Sequence, residues 1–172
     1  MKYALNSRLP LLSLAAFVFV IDRITKHLVL NNIPLWQERP IIPGFFHLCH
    51  LENRGAAFSL FTQNPAPWKL GILIGFSVLA LCVVLYLLLR SQHSSIAGIG
   101  LALILGGALG NLWDRVIYGR VVDFLDFYLT WHSRRYDWPP FNVADSAIVV
   151  GACLLLFELL TTRPSSQISD TP

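Results

Sequence analysis

Two short segments near the C-terminal end each place one aspartate in strongly apolar sequence: Gly119-Arg120-Val121-Val122-Asp123-Phe124 and Phe141-Asn142-Val143-Ala144-Asp145-Ser146-Ala147. An acid at the edge of a membrane span is expensive and points to function. Two such acids brought together can share one proton, because like charges a few ångströms apart do not both ionise cheaply. One member then activates a water while the other protonates the leaving group, which is hydrolysis without a metal or a covalent nucleophile. Either acid can hold the proton at rest, since the titration belongs to the pair.

Each acid also has a plainer reading. Asp145 opens an apolar run, where aspartate is favoured as a helix cap. Asp123 could be an ordinary interfacial acid, and Asp126, three residues on, is its rival for the chemistry. Asp22 and Lys26 stand at helical pairing distance, and Asp114 beside Arg115 suggests a structural ion pair.

The elements that must position these groups are membrane helices. The chain has 172 residues, of which 55% are hydrophobic and 13% charged, about half the charge of a soluble domain. A span needs roughly 20 apolar residues, and four stretches meet that: about 10–30, 70–89, 96–113 and 143–162. Long connecting loops are expected at about 31–68 and 114–142, with a disordered tail at 163–172. The whole is expected to form a single polytopic domain. Lys2 and Arg8 precede an apolar stretch, but Ile21-Asp22-Arg23 follows where a signal-peptide cleavage site would stand, so the first span is read as uncleaved.

With four spans, both long connections lie on one side of the membrane. Asp22, Arg23, Lys26, Asn53, Arg54, Asn111, Asp114, Arg115, Asp123 and Asp145 then gather at that face. A strand or small sheet is expected over Phe45–Asn53, followed by a turn at Asn53-Arg54-Gly55 and a loop closed by Asn64-Pro65-Ala66-Pro67. Trp36, Trp68, Trp113, Trp131 and Trp138 fall near the same face, as an interfacial aromatic belt would. Gly106 and Gly110 form a small-xxx-small pair that lets neighbouring helices approach and carries Asn111 and Arg115 inward.

Several function classes are disfavoured. The net charge of +3 comes with no basic cluster of nucleic-acid type. Cys49, Cys82 and Cys153 form no CxxC pair, and His27, His47, His50, His93 and His132 show no ligand spacing. HExxH is absent, so neither metal nor other cofactor is expected. Glu158 reads as an interfacial residue. A proton-coupled transporter is the main competing reading, but the second span carries no polar relay. Lysine and arginine are more numerous on the long-loop side, which by the positive-inside rule would make that side cytoplasmic.

The motifs resemble those of lipoprotein signal peptidase, the signal peptidase II family of bacterial aspartyl proteases. The resemblance rests on Asp22-Arg23-Ile24-Thr25-Lys26, Asn53-Arg54-Gly55-Ala56-Ala57-Phe58, Gly107-Ala108-Leu109-Gly110-Asn111-Leu112-Trp113-Asp114-Arg115, Val122-Asp123-Phe124 and Phe141-Asn142-Val143-Ala144-Asp145-Ser146, five motifs in order. It implies an all-α membrane protein of four transmembrane helices, with a small extracytoplasmic β-sheet and a loop-helix segment over the site. By it Asp123 and Asp145 are catalytic, and Asp22, Asn53, Asn111, Arg115 and Asn142 bind substrate, supported by Lys26, Gly107 and Asp114. It further implies cleavage just before the diacylglyceryl-cysteine of prolipoproteins, contact with membrane lipids, inhibition by cyclic peptides of the globomycin type, and a monomer. Both termini would be cytoplasmic and the site periplasmic in the bacterial inner membrane, against the charge count. The stretch between Asp123 and Asp145 is longer than the family pattern, which should alter the lip of the site rather than its chemistry.

Overall fold

The computed structural model describes residues 8–55, 67–91, 95–132 and 134–161. Four long helices and a four-stranded antiparallel sheet make up the fold: α1 (Leu9–Asn32), β1 (Glu38–Ile42), β2 (Phe46–Asn53), α2 (Pro67–Arg90), α3 (Ile96–Tyr118), β3 (Val121–Trp131), β4 (Arg134–Asp137) and α4 (Val143–Thr161). The chain is therefore mostly helical, and α2, α3 and α4 are long and apolar enough to cross a membrane. Helix α1 is as long, but carries Asp22, Arg23 and Lys26 in its C-terminal half.

Helix α3 is the hub, packed against α1, α2 and α4. Its glycines explain why. A Cβ on Gly106 would lie 2.4 Å from the carbonyl oxygen of Ala15 on α1, and one on Gly107 would lie 2.4 Å from that of Ala144 on α4. Gly110 is closed the same way by the Asp22 carboxylate, and Gly100 by the Gly151 carbonyl. Backbone meets backbone at Gly100, Gly106 and Gly107, which is how small residues bind helices where lipid offers no hydrophobic drive. Leu11 and Ala15, Leu81 and Leu88, and Leu101, Ala102 and Leu105 fill the apolar centre between α1, α2 and α3. Most of α2 instead faces outward, with Phe76, Leu79 and Tyr86 exposed.

Helix α3 starts at Ser95, whose hydroxyl accepts a hydrogen bond from the Gly98 N–H at 2.9 Å. Glu158 of α4 accepts another from the Ala97 N–H, so this acid serves as a helix cap and not as a lone interfacial charge. At its other end α3 continues through Tyr118, five residues beyond the expected Trp113, and stops at Gly119 with φ 67°. That left-handed residue is the stop signal a glycine supplies at little steric penalty. Asp114 and Arg115 therefore belong to the helix and keep its angular spacing.

The sheet has the order β1-β2-β3-β4. The strand expected over Phe45–Asn53 forms as β2, and β1 is added on its outer side. Leu51 pairs with Asp123 and His47 with Asp126 across β2 and β3. The 121–137 stretch is a hairpin, so the loop-helix segment expected over the site is not found among the described residues. The first four residues of β3 are all buried, and from Phe124 onward buried Phe124, Asp126 and Tyr128 alternate with the less buried Leu125 and Phe127, a strand period. Val122 and Phe124 pack on Val29 and Ile33 and so anchor the sheet to the end of α1. The expected loop at Asn64–Pro67 falls largely in 56–66, outside the described residues, and Pro67 begins α2; the expected tail also lies outside them.

Gly106→Leu should destabilise the folded protein by about 1–3 kcal/mol or more, the usual range for overpacking. Gly71→Leu on α2, with nothing within 4 Å of an added Cβ, should leave it unchanged or more stable. Thermal unfolding of both variants in one detergent checks the contrast.

Candidate active site

Lys26 is fully buried. Its ammonium lies 2.8 Å from a carboxylate oxygen of Asp22 and 2.8 Å from one of Asp114, and it donates to Asn111 Oδ1 at 3.0 Å. Arg23 also pairs with Asp114. The cluster thus holds two cations and two anions, the condition under which buried charge is tolerable. Asp114 does not pair with Arg115 as its position suggested, because adjacent helical residues point in different directions. Asp22 does pair with Lys26, and its other oxygen accepts the Ala144 N–H at 3.1 Å. With no exposed surface, Asp22 ties α1 to the start of α4 and has no face open to a ligand.

Asn111 lies on α3 between Lys26 and Asp145. Lysine has only protons to give, so the amide oxygen must face Lys26 and the amide nitrogen is left for Asp145, to which it donates at 2.7 Å. Asn142 is placed by the same logic. Its oxygen accepts the Asp145 N–H at 3.0 Å, while Asp145 Oδ2 accepts the Asn142 N–H at 3.3 Å. This is a reciprocal capping box at the start of α4, and it leaves the Asn142 amide nitrogen to donate to Asp123 Oδ1 at 2.8 Å. Asn53 completes the set: its oxygen accepts the Gly55 N–H at 2.9 Å, and its nitrogen donates to Asp123 Oδ2 at 3.2 Å.

Asp123 and Asp145 are therefore linked through one residue, Asn142, whose side chain donates to the Asp123 carboxylate and whose backbone N–H donates to that of Asp145, and each carboxylate receives a second donor from Asn53 or Asn111. Asp123 is only 5% exposed, and burial first, then the negative charge of Asp145, pushes its carboxyl up to about 7. Its hydrogen bonds from Asn53 and Asn142, and the charge of Lys26, pull the other way. Arg115 is half-buried within electrostatic reach of Asp145 and Asp123, with its guanidinium donating to the Asn111 carbonyl at 3.2 Å. Arg54 is exposed at the end of β2. Asp126 cannot take part, since an odd separation along β3 turns it to the opposite face of the sheet from Asp123.

Every residue expected at the site thus borders the two carboxylates or belongs to the network that holds them in place, Asp22 as a buried tie to α4. Gly107 supports it by letting α3 reach the carbonyl of Ala144, beside Asp145. Two things were missed. Arg23 joins the charge cluster, and Lys26 acts on Asn111 as well as on Asp22; the i, i+4 spacing exposes only the second partner, because the first is on another helix.

Two neighbouring carboxylates, one buried and one partly exposed, where membrane-length helices meet a small sheet are the arrangement of a membrane-bound aspartic peptidase. The chain belongs to the signal peptidase II family, whose family model, described as Signal peptidase (SPase) II, matches residues 14–161. It is 45% identical over 157 residues to the lipoprotein signal peptidase of Solibacter usitatus, covering 91% of this chain and 92% of that one. It is 44% identical to that of Ralstonia nicotianae over 151 residues, 88% of this chain and 84% of the relative. A solved bacterial membrane enzyme superposes with a TM-score of 0.79 at 27% identity, over 95% of this chain and 94% of that structure.

Lys26→Met should destabilise the fold by about 3–5 kcal/mol, the penalty for leaving buried charges without their partner. Chemical unfolding in detergent checks this, and a loss below about 1 kcal/mol would contradict the buried-ammonium account.

Proposed function

We propose that Asp123 and Asp145 form the catalytic dyad that removes the signal peptide from diacylglyceryl-cysteine-modified prolipoproteins, cutting just before the lipidated cysteine. The observation that carries this is the Asn142 side chain, which donates to one acid and caps the helix whose first turn carries the other. Asp123 holds the shared proton at rest, consistent with its raised pKa. Asp145, as the carboxylate, takes a proton from a water whose oxygen attacks the scissile carbonyl carbon. As the tetrahedral adduct collapses, Asp123 gives its proton to the scissile nitrogen, the C–N bond breaks and the amine leaves, while the proton that Asp145 took from the water stays in the dyad as its shared proton. The half-buried Arg115, with the amides of Asn53 and Asn111, lines the approach for backbone or ester oxygens of the substrate.

In this reading α1 is a fourth span. Its three charges are internally paired or hydrogen-bonded against α3 and α4, so they are not presented to lipid. The sheet then lies outside the inner membrane on the periplasmic side, with both termini cytoplasmic. The excess of basic residues on that side has a local explanation: Arg120 pairs with Glu52 at 2.8 Å, Arg135 with Asp126 and Asp137, and Arg39 donates to the Asn32 carbonyl. The exposed Trp36, Trp68, Trp113, Trp131 and Trp138 fit an interfacial belt at the lipid headgroups. One chain forms a single polytopic domain carrying every site residue, so a monomer suffices. Cyclic peptides of the globomycin type would compete for the same dyad.

Purified protein should cleave a diacylglyceryl-modified prolipoprotein, with Asp123→Asn and Asp145→Asn each losing activity by about 10³-fold or more while remaining folded, as expected for removal of one half of an acid–base pair. Full activity in either folded variant would remove that residue from the mechanism.

The pH profile is a second test. Losing the Asp123 proton stops the acid step, so kcat/KM should fall as pH rises through about 7. Asn53→Ala removes a donor that lowers this pKa, so the alkaline limb should move to higher pH; a limb that stays in place or moves down contradicts the assignment. Because the folded chain keeps a proton that an unfolded one loses near 3.8, this group's contribution to stability should decline as pH rises from about 4 to 7.

A further inference from the structure

On the face of the sheet opposite Asp123, three strands bring together side chains that the sequence leaves far apart. His47 of β2 stands directly across from Asp126 of β3, and Glu38 of β1 is diagonal to His47. His47 Nδ1 lies 3.0 Å from Glu38 Oε2 and 3.8 Å from Asp126 Oδ2. One ligand atom from each residue falls within 4.8 Å of the other two. We propose that Glu38, His47 and Asp126 form a divalent transition-metal site of the zinc type, separate from the dyad, which clips the outer strands β1 and β2 onto the strand that carries Asp123.

Ligand atoms about 2.0–2.2 Å from a tetrahedral zinc stand about 3.3–3.6 Å apart. The 3.0 and 3.8 Å separations bracket that range, and the exposed Glu38 side chain is free to adjust to a bound ion. The imidazole is already aimed. Its Nε2 is hydrogen-bonded to the Tyr128 hydroxyl at 2.8 Å, and that hydroxyl accepts the Gly44 N–H at 2.9 Å. A partner on the far ring nitrogen is what fixes a metal-binding histidine. Asp126 is 4% exposed, and it is crowded by two further acids, Glu38 and Asp137, that reach the same Arg135 guanidinium. A dication would relieve that crowding, and one nitrogen with two carboxylates suits zinc or manganese better than calcium or magnesium, which favour all-oxygen sets.

Arg135 shares these acids. Its guanidinium lies 3.3 Å from Asp126 and 4.0 Å from Glu38, and also bonds Asp137. Three carboxylates thus face one arginine, and a metal would leave Arg135 on Asp137, where it is already held. Arginine here competes with the metal, which separates this proposal from a plain ion-pair network.

The test uses full-length protein in detergent, freed of any affinity tag and stripped with chelator, then titrated with Zn2+ and separately with Co2+ for its visible absorption. The expected result is one metal per chain, binding weakened at least tenfold in Glu38→Gln and in His47→Ala, about tenfold in Tyr128→Phe, and tightened in Arg135→Ala. Wild-type protein that retains neither metal, or binding that persists unchanged in both Glu38→Gln and His47→Ala, overturns the proposal. Both of those residues lie toward the sheet surface, so the outcome does not hinge on a variant that fails to fold.

Discussion

The buried ammonium of Lys26 is the interaction on which the rest depends. A single cation in the bundle interior holds two carboxylates and one amide oxygen from three other positions, one on α1 and two on α3. Through Asp22 it reaches the first turn of α4, and through Asn111 it reaches Asp145. Remove it and two acids are left buried, one helix loses a cap, and an asparagine beside the dyad loses the group that orients it. Structural charge and site charge are one connected system here, so stability and activity should respond to the same substitutions.

The same economy governs the carboxamides. Asparagine can present either end of its amide, yet at Asn53, Asn111 and Asn142 the oxygen is claimed by a group able only to donate: a backbone N–H, an ammonium, another backbone N–H. The nitrogen is left in each case to face an aspartate. Three flexible groups thereby become three directed donors, all aimed at two acids. Those donors temper the effect of burial on Asp123, whose pKa settles near neutrality where an acid–base pair is useful.

Close helix packing makes this geometry reachable. Lys26 could not touch Asn111, nor Asp22 the Ala144 N–H, unless α3 approached α1 and α4 with backbone in contact. The glycines at 106, 107 and 110 permit that approach. The sheet then supplies Asp123 from outside the bundle, held to α1 by Val122 and Phe124. Its opposite face gathers a second polar group around His47 that has no contact with the dyad.

The sequence by itself determined the helices, the strand at β2, the polar residues and their motifs, because these rest on local composition and on periods of 3.6 and 2 that neighbouring residues carry. It also raised a carboxylate pair as the candidate chemistry, since Asp123 and Asp145 stood out against apolar surroundings and fell in motifs that resemble a known family. Only the tertiary structure decided who meets whom. Asp114 beside Arg115 looked like an ion pair, but the helix turned them apart and α1 brought Lys26 and Arg23. Asp126 rivalled Asp123 until the strand put them on opposite faces. His47 looked incidental until antiparallel pairing set it between Glu38 and Asp126. Partners separated by tens of residues leave no periodic trace in the chain, and only the folded backbone brings them within hydrogen-bond range.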